Sequence, residues 1–397
     1  MDGGAEVSRR AFVRGGTLAS TAVLMGAGGI LLTACDPGPL LGPDGLGLRL
    51  PPLFTGRLLA TTGQTVPGTN HVWHQAPDGG ACFALPDGGW SYVSNAEAFP
   101  EGGAGFLRFD AGANLIDAGV VLDGSRTTVN CSGGAMPWGT WLSCEELPTG
   151  RVFECDPLGA WPAVERPALG RFWHEAAVAD PINEVVYLTE DPFVIGAPAD
   201  GGVYRFTPDS WGDLSSGLLE IMTDVGAGPV WQPVPDAAAT TTPTRYQVPD
   251  TIAFNKAEGC DMVGEKLLFT EKSAQRVWAY DPTAGTLEVI YDGLAAPGGV
   301  LAGPDALRTT TDGVAYVAED GGDMQVVLVR EDGAAFPVVQ LVGVAGSEIT
   351  GVAFDPSGTR LYFSSQRNPG QTFEITGPWS AFTEPGPPPL APPQPPV

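Results

Sequence analysis

Seven acidic residues stand at the ends of short aromatic or aliphatic strand-like segments. Glu145 and Glu146 follow Trp141-Leu142-Ser143-Cys144, and Glu190 and Asp191 follow Tyr187-Leu188-Thr189. Glu271 follows Leu268-Phe269-Thr270, and Glu319 and Asp320 follow Tyr316-Val317-Ala318. Carboxylates gathered in one place cannot all stay ionised unless cations neutralise them, so the chemistry these residues imply is cation binding. With only His71, His74 and His174 in the chain, a histidine-built zinc site is not expected. Oxygen donors favour hard cations, calcium above all, while one thiolate among carboxylates admits a ferric ion or another transition metal. The sequence holds neither a Gly-x-Ser-x-Gly elbow nor a phosphate-binding glycine loop entering a helix, which leaves serine hydrolase and P-loop chemistries unsupported.

The segments that carry these acids recur. Tyr92-Val93-Ser94-Asn95 and Tyr362-Phe363-Ser364-Ser365 complete a set of six. Measured at the small residue, the intervals are 49, 46, 81, 48 and 46, the long one containing a Pro/Thr-rich stretch over residues 208–250. A second set of six follows: Phe106-Leu107-Arg108-Phe109, Val152-Phe153-Glu154-Cys155, Val203-Tyr204-Arg205-Phe206, Val277-Trp278-Ala279-Tyr280, Val326-Val327-Leu328-Val329 and Thr372-Phe373-Glu374-Ile375. With 55 Gly, 38 Pro and almost no helical periodicity, the chain reads as all-β. Repeats of 40 to 50 residues with several strands each are propeller blades, which bury both faces only by closing into a ring. The expectation is a six-bladed β-propeller in a single domain, with a β-sandwich as the alternative. If the acid-bearing strands are the innermost of each blade, their ends converge on the channel and the acids form a ring at its mouth.

The flanks predict where the protein works. Ser8-Arg9-Arg10-Ala11-Phe12-Val13 is a twin-arginine start, and the uncharged run that follows ends at Leu32-Thr33-Ala34-Cys35, a lipoprotein cleavage site. Residues 1–34 read as a signal peptide, the alternative being an uncleaved anchor helix. Residues 35–50 read as a Pro/Gly-rich tether, 51–383 as the propeller, and 384–397, with eight prolines, as a tail. The expected protein is exported, lipid-anchored at Cys35, periplasmic or on the cell surface, and monomeric. A formal charge of −26 repels a phosphate backbone, which argues against nucleic-acid partners. Lipid on Cys35 leaves Cys82, Cys131, Cys144, Cys155 and Cys260. An odd number cannot all pair, so two disulfides and one cysteine with another task is the expectation.

Several segments in order then acquire a common meaning: Asn130-Cys131-Ser132-Gly133-Gly134, Pro137-Trp138-Gly139-Thr140-Trp141 running to Cys144-Glu145-Glu146, Gly170-Arg171-Phe172-Trp173-His174-Glu175, Thr189-Glu190-Asp191, and Glu258-Gly259 after Phe254. Together they resemble the PhoX-type alkaline phosphatases. The resemblance implies a propeller that hydrolyses phosphate monoesters at calcium and ferric ions bridged by an oxo group. It implies Cys131 as an iron-binding thiolate, Glu146, Glu175 and Glu258 as carboxylate ligands, Asp191 and Asp320 as calcium ligands, and Asn95 as a phosphate contact. Cys144 stays a rival ligand or the disulfide partner of Cys155. Lys256 stands where the family has an arginine; lysine supplies charge without a bidentate fork. With the repeat-derived Glu145, Glu190, Glu271 and Glu319, these residues make up the expected site. Its substrate would be a small phosphate ester. The other readings are a calcium-stabilised surface binding propeller and a calcium-dependent esterase or lactonase.

Overall fold

The computed structural model describes residues 37–193, 200–226, 228–295, 299–310 and 313–382. The twin-arginine start, Cys35 and the proline-rich tail lie outside the described residues. Within them, six antiparallel sheets of four or five strands are arranged as the six blades the repeats predict, and helix is confined to single 3-10 turns. No helix among the described residues is long and apolar enough to cross a membrane.

Blades are numbered here by their first strands, which are Pro77–Ala84, Gly134–Ala135, His174–Asp180, Ala257–Val263, Pro304–Thr309 and Ile349–Phe354. These first strands lie against one another around the channel. The acid-bearing segments therefore sit one place further out than expected. They form the second strands, such as Val185–Glu190 and Lys266–Glu271, and the second repeat set forms the third strands. The reason is packing. A second strand is covered on both faces by adjacent blades, so all six residues of Val185–Glu190 are buried, and such a strand reads as the strongest apolar run in its blade.

The long third interval is a twelve-residue strand, Asp213–Asp224, with a fifth strand, Pro229–Pro233, on the blade edge. Leu48–Arg49, within the expected tether, pairs with Gln340–Leu341 as a fifth strand of blade 5, and Leu48 is buried. Thr55–Thr61 pairs with Gln371–Thr376, so the last blade takes its outer strand from the start of the chain. This closes the ring by fastening the start of the chain to its last strand. All five described cysteines are free thiols. The expected disulfides are not formed: Cys144 packs between blades 2 and 3 while Cys155 packs on the opposite face, against blade 1.

Candidate metal centre at the channel mouth

In blades 1, 3, 4 and 5 the first strand slips register against the second at one point, between Pro77 and Gly80, His174 and Ala177, Ala257 and Cys260, and Pro304 and Leu307. Each slip is a β-bulge, and a bulge re-aims the side chain at its start. The residues there are Asp78, Glu175, Glu258 and Asp305, and Cys131 holds the matching place in blade 2, just past the Asn130–Glu145 bridge. A second tier comes from the residue after each second strand, or in blade 2 after the Glu145 bridge that extends it: Glu97, Glu146, Asp191, Lys272 and Asp320 in blades 1 to 5. Blade 6 breaks the pattern. Its bulge holds Gly351-Val352, and it supplies Glu348 and Arg367 from beyond its strand ends.

These side chains line a cavity of about 410 Å³, together with Lys256, Trp173 and Phe193. Nine carboxylates and one thiol face three cationic side chains. Donor atoms come within 4.8 Å of one another in four overlapping groups: Asp78, Glu97 and Cys131; Cys131, Glu146 and Glu175; Glu175, Glu258 and Asp305; Asp305, Asp320 and Glu348.

Burial, and then neighbouring negative charge, shifts the group. Asp78 is pushed up to about 7 by desolvation and by Glu97 and Asp305. Glu146, Glu175 and Glu348 are raised well above the carboxylate range for the same two reasons, and burial raises the Cys131 thiol. Burial would lower Lys272, but Asp305, Glu258 and Asp320 outweigh it and hold the ammonium well above its ordinary value. Glu175 Oε1 and Asp191 Oδ1 are buried without a hydrogen-bond partner. Orphaned buried carboxylate oxygens in a cage of like charge are what a bound cation would satisfy, and the donor set fits metal ions. Cys131, Glu146 and Glu175 offer sulfur with oxygen, suited to a transition ion; the groups around Asp305 are all oxygen, suited to calcium.

Of the residues expected from sequence, the structure brings Cys131, Glu146, Glu175, Asp191, Lys256, Glu258 and Asp320 to one cavity. It does not bring Glu145, Glu190, Glu271 or Glu319. Each is the last paired residue of its strand or its bridge, one position before the second tier, and strand alternation turns it to the other face. There they fasten loops. Glu145 takes a bidentate pair from Arg151, at 2.6 and 2.8 Å. Glu190 accepts from Arg245 at 2.8 Å and Tyr204 at 2.7 Å. Glu271 accepts from Trp278 Nε1 and the Asn255 amide, and Glu319 from the amides of Ala302, Asp323 and Gln325.

Asn95 is also misplaced as a phosphate contact. Its amide donates to the Cys131 carbonyl, and its oxygen accepts from Trp141 Nε1 at 2.9 Å and Ser143 Oγ at 2.8 Å, so this buried side chain ties the Cys131 backbone to the second strand of blade 2. Cys144 is likewise outside the cavity, in apolar packing. Sequence reasoning missed Asp78, Glu97, Lys272, Asp305, Glu348 and Arg367. A signal for two of them, Asp78 and Asp305, was present in an acid or cysteine followed by a small residue: Asp78-Gly79, Cys131-Ser132, Glu175-Ala176, Glu258-Gly259 and Asp305-Ala306.

Residues 111–264 match the family model described as alkaline phosphatase PhoX. Over that stretch the chain is similar to PhoX. That match spans Cys131, Glu146, Glu175, Asp191, Lys256 and Glu258, and ends before Lys272, Asp305, Asp320, Glu348 and Arg367. PhoX of Pseudomonas fluorescens, solved with vanadate as a transition-state analogue, shares the fold with a TM-score of 0.70 at 15% identity, over 88% of this chain and 99% of that one. A luciferin-regenerating enzyme follows at a TM-score of 0.51 and 12% identity, over 86% of this chain and 100% of that one. A protein of unknown function from Bacteroides thetaiotaomicron reaches 0.52 at 9% identity, over 81% of this chain and 76% of that one. No curated protein matches by sequence.

Proposed function

We propose that this chain is a metal-dependent phosphomonoesterase that acts on small phosphate esters at the channel mouth. The observation that carries the reading is the cavity itself, with nine carboxylates and a thiol against three cations, in a chain whose central blades match PhoX. A dianionic phosphate cannot approach such a surface unless bound cations invert the local potential. Bound metal supplies that inversion and Lewis-acid polarisation of the phosphoryl oxygens. Cys131, Glu146 and Glu175 would hold a ferric ion, and Glu348, with the oxygens of Asp305 and Asp320 that Lys272 leaves unengaged, would hold calcium.

The chain's own residues do the rest. Lys256 and Arg367 stand at the rim with side chains 23% and 47% exposed, tied at 2.6 Å to Asp191 and to Glu348 respectively. Once metal neutralises those carboxylates, both cations are free to turn to an entering phosphate. Arg367 brings the planar fork that Lys256 lacks. Trp173 and Phe193 wall the cavity and limit the water that reaches it. The twin-arginine start and Cys35 support placing this activity outside the cytoplasm on a lipid anchor.

Elemental analysis and p-nitrophenyl phosphate turnover test the reading. The wild-type protein should carry calcium and iron and turn over, and Glu175→Gln and Cys131→Ser should each lose metal and at least ~100-fold in kcat. Unchanged turnover in both variants would rule out this site. Calcium without turnover would favour a binding propeller, and cleavage of carboxylic esters alone would favour an esterase.

A further inference from the structure

In blades 1, 2, 3 and 5 the second tier of the cavity is a carboxylate: Glu97, Glu146, Asp191 and Asp320. In blade 4 it is Lys272. The backbone there is unchanged, since Ala257 pairs with Glu271 as His174 pairs with Glu190 and Pro304 with Glu319. Thus Thr270-Glu271-Lys272 is the counterpart of Thr189-Glu190-Asp191 with the sign of one charge reversed. The ammonium reaches inward. Lys272 Nζ lies 2.6 Å from Glu258 Oε1, 2.8 Å from Asp305 Oδ2 and 3.1 Å from Asp320 Oδ2, with the side chain 16% exposed. Those three carboxylates are drawn from the two all-oxygen donor groups that share Asp305.

We propose that Lys272 is a built-in cation of the cluster: its ammonium takes the place of one divalent ion among Glu258, Asp305 and Asp320, so the chain binds one metal fewer than its ring of ligands could hold. An ammonium that donates a hydrogen bond to Asp305 and is ion-paired with Glu258 and Asp320 at 2.6 and 3.1 Å neutralises the three carboxylates as a calcium ion would, but it cannot leave. Two consequences follow. The site has lost one exchangeable ion and one carboxylate together, which brings its charge closer to balance before any metal arrives. The empty ring also keeps part of its cohesion in chelator, because one counter-charge is covalently attached.

This inference rests on the reading that the cavity binds metal, and the two can fail separately. Wild-type protein, Lys272→Glu and Lys272→Gln are each saturated with calcium, desalted and counted for metal per chain. Their thermal unfolding is then followed with and without chelator. Lys272→Glu, which restores the carboxylate of the other blades, should hold one divalent ion more than wild type. Both variants should unfold several degrees below wild type in chelator, with Lys272→Glu recovering most of the difference in calcium. Equal metal counts in wild type and Lys272→Glu would overturn the role of Lys272 and leave the metal site standing. An unfolding temperature in chelator that neither variant moves would overturn it as well. No metal in any of the three would overturn both readings. Lys272→Gln adds no new charge, so it still reports the loss of the cation if Lys272→Glu does not fold.

Discussion

At the scale of single residues, one step along a strand separates a candidate metal ligand from a loop fastener. Glu190 and Asp191 are neighbours, yet Asp191 faces the cavity and Glu190 is fully buried against Arg245. Glu190→Gln should therefore cost ~1–3 kcal/mol in denaturant unfolding, because it leaves the buried Arg245 guanidinium with only the longer ion pair to Asp200 at 3.5 Å, while leaving the metal count intact. Asp191→Asn should do the reverse, lowering metal content with little change in stability. A second residue-scale test uses pH. His74 is held down to about 3 from 6.5, chiefly by burial, so folding keeps its imidazole neutral. Its contribution is fully present above pH 6.5 and is lost as pH falls towards 3. The melting temperature of His74→Asn should fall less steeply over that window than that of wild type. Residue types were legible in the sequence to the extent that doublets gave both faces. Glu145-Glu146, Glu190-Asp191 and Glu319-Asp320 each contain one ligand candidate and one fastener, and no periodicity argument could say which without the register.

At the scale of elements, the first strands make the site, and they were the least legible part of the chain. They are rich in Gly and Ala and interrupted by the bulge that serves them, so they carry no continuous apolar run; blade 2 keeps only Gly134–Ala135. The apolar second strands dominated the pattern and drew the reading outward by one place. The small residues after each acid have a steric cause. A Cβ on Gly79 would lie 1.8 Å from the Ser132 carbonyl oxygen of the adjacent blade, so the bulges of blades 1 and 2 can meet only if that position is bare. Gly79→Ala should destabilise by ~1–3 kcal/mol or more as the strands part. It should also lower metal content by misaiming Asp78, which paired chelator and denaturant titrations would read.

At the scale of the molecule, six blades and their order were legible because each repeat needs neighbours on both faces, and that need fixes ring closure once six are counted. The closing device was not legible: residues 48–61 carry too little pattern to reveal that two outer strands come from the start of the chain. Removing residues 37–61 should expose the edges of blades 5 and 6 and give a species that aggregates or is cut by protease where the full chain resists. The same closure sets an order of events. Blade 6 joins Thr55–Thr61 to the last strand, Gln371–Thr376, so a chain emerging from the ribosome holds nearly all of its ligands before it can seat any of them in a finished ring. Glu348 and Arg367 arrive with that last blade. On the proposed reading, metal loading is a late step, and a product lacking residues 368–397 would carry all of the donors without the closing strand Gln371–Thr376 that completes their ring.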